Sequence, residues 1–290
     1  MTSTKSLSPL ILWCLAATWL VWGSTYLAIR FALVSFPPYW QMGTRFLVAG
    51  VGLMAWCKWR GASLPTRVQW RNALIIGGLM LGIGMGNTAR AEMTIASGLI
   101  VAFIAIIPAT ITLINLCYGV RSTRIEVLGI VVGLMGVLML VSGSGFSASH
   151  SGLIAIVIAT TAWSLGSVLS QQQYKLAPGA VGFASEMIAG GAVLMIMSWL
   201  AGEIPSWHAE PRALAAWIFL IVFGSLIAFN AYMLLLSRAS AALASSYTFV
   251  NPVIAMLLGV AFGGEVITGF EWLAAAVIIV AVVLLLLGRR

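Results

Sequence analysis

The residues best suited to hydrogen-bond a solute surround a proline near the end of the sequence. In the stretch SSYTFVNPVIAMLLGVAFGGE, from Ser245 to Glu265, the polar residues Ser245, Thr248 and Asn251 recur at helical spacing beside Pro252. A proline removes one backbone hydrogen bond from a helix and leaves a carbonyl free. Hydroxyl, amide and carbonyl groups on one stripe suit a polar ligand, so the pattern predicts a helix break that lines a binding site. A bend that only shapes a packed bundle is the alternative.

Aromatic and amide side chains in other apolar segments extend this candidate site. Trp163 lies about half way along its segment, too deep for the interfacial belts that membrane-protein tryptophans usually form. Its indole offers an apolar wall and one N–H donor, although packing against neighbours is the alternative role. The candidate binding residues are Trp163, Ser167, Tyr26, Asn87, Asn230, Tyr247 and Asn251.

Asn87 and Asn230 occupy related places in two apolar segments. An unpaired amide in hydrocarbon costs several kcal/mol, so each must face the protein interior or water. The alternative to a role in binding is a hydrogen bond between helices.

Two ionisable residues, Arg45 and Glu186, lie inside apolar segments. Such residues are candidates for function by default. Glu186 is a possible proton acceptor, and the alternative is that it extends to the cytoplasmic interface near Lys175. Their depths place Arg45 and Glu186 in opposite halves of a bilayer, so we do not expect them to pair.

The sequence lacks the residue sets of several enzyme classes. It contains no Asp, and its two histidines, His150 and His208, lie in predicted outer loops. Cys14, Cys57 and Cys117 are scattered, and no His, Cys or carboxylate cluster has metal-ligand spacing. No glycine-rich phosphate loop is present. We therefore expect no metal, no cofactor and no enzymatic activity, with a membrane-embedded enzyme or receptor as the remote alternative.

The composition is that of an integral membrane protein. Of 290 residues, 61% are hydrophobic and 8% are charged, whereas soluble domains are about 45–50% apolar and about 25% charged. The net charge of +8 fits the excess of Lys and Arg that membrane proteins keep on the cytoplasmic side. The predicted partner is therefore the lipid bilayer and not nucleic acid.

Ten apolar segments are long enough to cross a bilayer, which takes about 20 residues. They cover residues 9–32, 38–57, 72–89, 97–118, 126–143, 151–172, 180–201, 213–236, 241–262 and 269–287. The first is too long for a signal peptide and lacks a small-residue cleavage site. The sequence thus predicts an all-α, multi-pass protein of the inner (cytoplasmic) membrane.

The basic residues orient these spans. With the N-terminus inside, eleven of the 15 Lys and Arg residues fall in cytoplasmic segments, which predicts that both termini are cytoplasmic. These eleven are Lys5, Lys58, Arg60, Arg67, Arg71, Arg121, Arg124, Lys175, Arg238, Arg289 and Arg290.

The two halves of the sequence are weakly similar. A shift of 144 residues aligns Pro108 with Pro252, and a shift of 143 aligns Asn87 with Asn230. Pro108 is also a predicted helix break or gating residue, with a simple bend as the alternative.

The repeat divides the protein into residues 1–146 and residues 147–290, each with five predicted spans. An odd number of spans makes the two halves enter the membrane from opposite sides. This inverted repeat is the architecture of many secondary transporters, whose substrate site lies near the midplane between the halves.

Two long stretches resemble the EamA family of the drug/metabolite transporter superfamily. They are WGSTYLAIRFALVSFPPYWQMGTRFLVAG (Trp22 to Gly50) and SRASAALASSYTFVNPVIAMLLGVAFGGEVITGFEWLAAAVII (Ser237 to Ile279). The resemblance covers essentially the whole chain and implies a ten-helix carrier that works by alternating access. Among family members, the chain is most similar to the aromatic amino-acid exporter type.

The predicted function is export of amino acids, with aromatic and other neutral ones favoured, by a monomeric secondary transporter. Walls of Trp and Tyr with few fixed charges suit a neutral or zwitterionic small molecule. Glu186 is the candidate for proton coupling. Export of other small metabolites or of amphiphilic drugs is the alternative.

Overall fold

In a computed structural model of the protein, helices account for most of the residues that the structure describes, which are 8–95, 97–142, 149–205, 208–263 and 268–288. No β-strand occurs in these ranges. The helices are α1 (Pro9–Leu33), α2 (Pro38–Trp59), α3 (Arg67–Gly77), α4 (Gly86–Ala91), α5 (Ser97–Ile104), α6 (Ile107–Cys117), α7 (Arg124–Val141), α8 (His150–Gln172), α9 (Ala180–Leu200), α10 (Pro211–Phe219), α11 (Asn230–Arg238), α12 (Ala241–Ala244), α13 (Tyr247–Gly263) and α14 (Gly269–Gly288).

Two of the long helices contain a π-helical stretch in their middle. The first π segment, Gly78–Met85, joins α3 to α4, and the second π segment, Leu220–Phe229, joins α10 to α11. π-helical turns are rare and occur frequently at functional sites. The two segments lie in the third and the eighth predicted spans, so they occupy equivalent places in the two halves of the sequence.

Polar caps explain where several helices begin. Thr66 and Gln69 form a capping box that starts α3 at Arg67, five residues before the predicted span. Thr123 and Glu126 form the same arrangement at the start of α7. Such caps satisfy backbone N–H groups that otherwise have no partner.

Nine helical stretches within the described ranges are long and apolar enough to cross a membrane. They are Pro9–Leu33, Arg67–Ala91, Ile100–Cys117, Arg124–Val141, His150–Gln172, Ala180–Leu200, Pro211–Arg238, Ala241–Leu258 and Gly269–Gly288. The remaining predicted span corresponds to α2, which has 22 residues and carries the fully buried polar side chains Gln41 and Arg45.

Two helix pairs pack with their backbones close together. In the pair α2 and α9, a Cβ added to Gly50 would lie 2.9 Å from the backbone nitrogen of Ile188. In the pair α7 and α14, a Cβ on Gly136 would lie 2.7 Å from the Ile278 side chain. Small residues allow this close approach between membrane helices, where van der Waals packing drives association.

The fourth and ninth predicted spans are each interrupted. Ala105 and Ile106 separate α5 from α6, and Ser245 and Ser246 separate α12 from α13. The second interruption corrects one prediction, because Pro252 lies inside α13 and not at the break. At the break, the Ser245 hydroxyl donates to the carbonyl of Ala241 at 2.7 Å. A serine side chain therefore supplies a hydrogen bond to a backbone carbonyl at this point.

Candidate functional site

A cavity of about 50 Å³ lies where α1, α4, α6, α8 and α13 approach one another. Its wall combines aromatic rings, aliphatic side chains and three threonine hydroxyls. The lining residues are Trp22, Thr25, Tyr26, Ile29, Gly84, Met85, Thr88, Ile104, Ile107, Ala159, Thr160, Trp163 and Tyr247. Residues from both halves of the sequence therefore share one cavity, and three of them, Tyr26, Trp163 and Tyr247, are among the predicted binding residues.

Four aromatic rings form a contiguous cluster along one side of the cavity. Trp22 lies at the centre, with its ring centroid 4.6 Å from that of Tyr247, 5.3 Å from that of Tyr232 and 5.7 Å from that of Trp163. The contacts with Tyr247 and Trp163 are edge to face, a geometry that aromatic pairs favour. The rings come from α1, α8, α11 and α13, so the cluster joins four helices.

The hydroxyl of Tyr232 forms the hydrogen bonds that connect this cluster. It accepts a hydrogen bond from the indole Nε1 of Trp163 at 3.2 Å and shares a second with the hydroxyl of Ser167 at 2.9 Å. Ser167 also donates to the carbonyl of Trp163 at 2.8 Å. Predicted residue Ser167 thus does not line the cavity, and it acts on the cavity wall through Tyr232.

Sequence reasoning did not select Trp22 and Tyr232 for the site. Trp22 lies four residues before Tyr26, so a helix places both on one face, and this spacing is the signal that could have identified it. Its indole donates to the carbonyl of Gly224, in the second π segment, at 3.3 Å. Tyr232 lies two residues after Asn230, and no pattern in the sequence set its hydroxyl apart from those of other tyrosines.

Asn87 and Asn230 have equivalent roles beside the two π segments. The amide nitrogen of Asn87 donates to the carbonyl of Ile83 at 2.8 Å, and that of Asn230 donates to the carbonyl of Leu226 at 2.7 Å. Both contacts lie within one helix, so neither amide donates across helices as the alternative supposed. Neither residue lines the cavity. The oxygen Oδ1 of Asn230 is buried and has no hydrogen-bond partner in the part of the chain that the structure describes.

Asn251, Pro108 and Pro252 are not among the residues that line the cavity. Asn251 is 1% exposed, and its amide atoms have no hydrogen-bond partner among the described residues. Its side chain lies within interaction range of the Tyr26 hydroxyl. Pro108 occupies the first turn of α6, where its missing N–H is not needed, while the neighbouring Ile107 lines the cavity.

Glu186 corrects a second prediction. The alternative in which it extends to the membrane interface is wrong, because its side chain is 0% exposed. Both carboxyl oxygens lack hydrogen-bond partners within the described ranges. The helix α9 packs on α2 and α3 around this position, which leaves the side chain no path to the interface.

Arg45 is buried beside the second π segment. Its Nε donates to the hydroxyl of Ser225 at 2.9 Å, and its guanidinium lies 4.5 Å from the ring centroid of Phe46. The carboxylate of Glu92 has no hydrogen-bond partner in the described ranges but interacts electrostatically with Arg30 and Arg45. Arg45 and Glu186 do not pair with each other.

No group of three or more His, Cys or acidic residues that could hold a metal ion occurs in the described part of the chain. The chemistry available at the cavity is therefore hydrogen bonding by hydroxyl and indole groups, with apolar and aromatic contacts. These are the contacts by which proteins hold small molecules, and the described lining residues include no nucleophile paired with a base.

The sequence profile of the EamA-like transporter family matches residues 8–142 and 150–287, nearly the whole length. The chain belongs to the EamA-like transporter family. An uncharacterized inner membrane transporter of Escherichia coli strain K12, YedA, is 42% identical over 280 residues, which cover 95% of this chain and 90% of YedA. This EamA-family protein is therefore a multi-pass transporter of the inner membrane.

More distant relatives extend over similar lengths. PecM of Dickeya dadantii is 25% identical over 93% of this chain and 92% of its own. YoaV of Bacillus subtilis, an uncharacterized transporter, is 22% identical over 83% of this chain and 84% of its own. A solved crystal structure superposes with a TM-score of 0.80 at 23% identity and covers 98% of both chains, so it has the same fold as this EamA-family protein.

Proposed function

We propose that this protein exports neutral amino acids, and aromatic ones above all, as a secondary transporter that works by alternating access. The observation that carries the proposal is the composition of the cavity wall. Trp22, Trp163 and Tyr247 supply flat aromatic surface, while Thr25, Thr88 and Thr160 supply hydroxyls, and none of the described lining residues is charged. A few polar groups on an aromatic wall fix the orientation of a ligand that carries no net charge.

The size of the cavity bears on how a substrate enters. A volume of about 50 Å³ holds one or two water molecules, whose share of liquid volume is about 30 Å³ each. Pockets that hold small ligands measure about 300–1,000 Å³. Binding of an amino acid therefore requires the surrounding helices to separate. Alternating access supplies that movement, because the same cavity opens to one side of the membrane at a time.

The proposed topology has ten spans in two inverted halves, with both termini in the cytoplasm. The 22 residues of α2 extend about 33 Å at 1.5 Å per residue, enough to cross the hydrocarbon core. The π segments lie in equivalent spans of the two halves. The pairs α2 with α9 and α7 with α14 likewise join the second span to the seventh and the fifth to the tenth. These correspondences support an inverted repeat of residues 1–146 and 147–290.

Reporter fusions test this topology. A reporter that follows Arg290, and one in the loop that contains Arg121, should be cytoplasmic, while one beside His208 should be outside. A reporter at Arg290 that is found outside the membrane would contradict the ten-span arrangement.

Counterflow in proteoliposomes tests the function. Vesicles that contain purified protein and unlabelled phenylalanine should take up labelled phenylalanine faster than protein-free vesicles, and labelled alanine should exchange more slowly. Labelled glutamate should not exchange, because the cavity wall offers no counter-charge. Folded protein that exchanges no neutral amino acid would refute the proposal. Exchange of an amphiphilic cation or another metabolite in place of amino acids would favour the alternative substrate class.

A further inference from the structure

We propose that Glu186 binds a proton and that release of this proton couples export to the proton gradient. This inference rests on the proposed function, since it names what drives the transport. It starts from a carboxyl group that is completely buried and has no partner. The side chain is 0% exposed, and neither oxygen has a hydrogen-bond donor among the described residues.

The backbone around Glu186 is packed too closely to admit water from the side of α3. A Cβ added to Gly77 would lie 2.5 Å from the carbonyl oxygen of Glu186 and 2.9 Å from the backbone nitrogen of Gly190. A Cβ on Gly190 would in turn lie 2.6 Å from the carbonyl oxygen of Gly77. The carboxyl group therefore occupies a dry part of the protein.

No charge compensates Glu186. The elements that pack on α9 are α2, α3, the first π segment and α11. Their titratable and charged residues are Tyr39, Arg45, Cys57 and Lys58 on α2, Arg67 and Arg71 on α3, and Tyr232 and Arg238 on α11, while the first π segment has none. Of these, Tyr39, Arg45, Cys57 and Tyr232 are buried, and the others are exposed.

Arg45, the buried cation among these residues, lies too far along α2 to form an ion pair with Glu186 on α9. Gly43 packs on Met195, and Gly50 packs on Ile188, so α2 and α9 run antiparallel. This alignment places Arg45 opposite residue 193, about 10 Å along the axis from Glu186. Burial of an ionised carboxylate without a partner is very costly, and such groups take up a proton instead.

The buried tyrosine connects Glu186 to the cavity. The helix α11, which carries Tyr232, packs on α9, which carries Glu186, and the Tyr232 hydroxyl accepts a hydrogen bond from the indole of Trp163. Trp163 lines the cavity. A change in the charge of Glu186 therefore alters the electrostatic environment of Tyr232, which positions Trp163 in the cavity wall.

The proposed step is a simple proton exchange. In the conformation described here, the carboxyl group holds the proton on one oxygen. When the helices around α9 separate, water reaches the group, and the proton passes to a water molecule and leaves a carboxylate. The empty protein closes only after the carboxylate has been protonated again, whereas the protein loaded with amino acid closes without the proton, so the two never cross together. A proton that moves inward as the amino acid moves outward supplies the driving force for export.

The first experiment measures the proton without any substrate. Infrared spectra of the full-length protein in lipid should show absorption by buried, protonated carboxyl groups at neutral pH, and Glu186→Gln should remove part of it. Glu92→Gln identifies the remainder, since both carboxyl oxygens of Glu92 are also buried without a hydrogen-bond partner among the described residues. Glu210→Gln is the matched control, since Glu210 is exposed, and it should leave the absorption unchanged. A wild-type spectrum without protonated carboxyl absorption, or a spectrum that Glu186→Gln leaves unchanged, would overturn the inference whether or not phenylalanine is a substrate.

The second experiment measures coupling. With the membrane potential held at zero, a gradient of one pH unit across proteoliposomes, acid inside, should drive accumulation of labelled phenylalanine up to about tenfold for one proton exchanged per molecule. Glu186→Gln should lose this accumulation and keep counterflow, since an amide resembles the protonated carboxyl group in size.

The outcomes separate the two proposals. Counterflow without accumulation in the wild type would overturn proton coupling and leave the transport function intact. Accumulation that persists in Glu186→Gln, or a loss of counterflow together with accumulation, would also overturn the role of Glu186. Absence of counterflow in the wild type would refute the choice of substrate, and the infrared spectra would then decide whether Glu186 binds a proton.

Discussion

Replacement of Tyr232 by phenylalanine tests whether one hydroxyl holds the aromatic cluster together. The substitution keeps the ring and removes the acceptor for the Trp163 indole, which donates to it at 3.2 Å. Tyr232 is 0% exposed and Trp163 is 5% exposed, so both groups lie away from bulk solvent. Ser167 keeps its second hydrogen bond, to the carbonyl of Trp163 at 2.8 Å. The variant therefore leaves one buried donor, the indole N–H, without an acceptor.

The expected cost follows from that one donor. A buried group that loses its partner costs about 1–3 kcal/mol, whereas hydrogen bonds between membrane helices average about 0.6 kcal/mol and reach about 1.7 kcal/mol. Because the buried Trp163 indole loses its acceptor, we expect Tyr232→Phe to lower the free energy of unfolding by about 1–2 kcal/mol. Denaturant unfolding of the protein in detergent micelles, followed by circular dichroism, measures this loss.

Two further variants complete the test of Tyr232. Tyr174→Phe is the matched control, because the Tyr174 hydroxyl has no hydrogen-bond partner in the described part of the chain and the ring is only half-buried. Its unfolding free energy should change by less than about 0.5 kcal/mol. Ser167→Ala, combined with Tyr232→Phe in a double-mutant cycle, should show coupling between the two hydroxyls. Equal losses in Tyr232→Phe and Tyr174→Phe would refute the assignment of a special role to the Tyr232 hydroxyl.

Three more predictions concern the cavity and the packing around it. Trp163→Ala should slow transport of aromatic amino acids more than that of small ones, since ring stacking is lost. The control, Trp199→Ala, changes a residue that is 78% exposed and should have little effect on any substrate in the same flux assay. Asn230→Ala should lower the unfolding free energy by about 1 kcal/mol, because carbonyls of the second π segment lose their donor, and an unchanged denaturation midpoint would argue against this role. Gly77→Ala should destabilise the protein by about 1–3 kcal/mol, because its Cβ would collide with the backbone of Glu186, and full stability in the same denaturation assay would show that α3 can shift away.

The sequence predicted the positions of the helices well because apolar length and breaks in hydropathy are local properties. The depth of Trp163 in its span was likewise readable, and Trp163 and Tyr26, both predicted binding residues, line the cavity. Depth in a span follows from the sequence position alone and needs no knowledge of distant contacts.

The features that the sequence did not predict depend on contacts between distant residues. Gly78–Met85 has the composition of an ordinary apolar helix, and its π-helical hydrogen bonds are set by the neighbours against which it packs. Glu186 is close enough to a helix end to reach the interface, but the glycines of α3 and α9 close over it. Pro252 was the predicted break, whereas the helix is interrupted at Ser245 and Ser246, where the Ser246 hydroxyl accepts a hydrogen bond from the Trp19 indole, far away in the sequence.

The close backbone packing of α2 on α9 has a mechanical consequence. Gly50 against Ile188 and Gly191 against Leu47 leave no side-chain layer between these helices that could deform. Side chains can change rotamer to absorb a displacement. Two helices whose backbones are in contact must instead slide past each other or move together as one rigid body. α2 lies in the N-terminal half of the sequence and α9 in the C-terminal half. A displacement of either helix therefore acts directly on the other half of the chain.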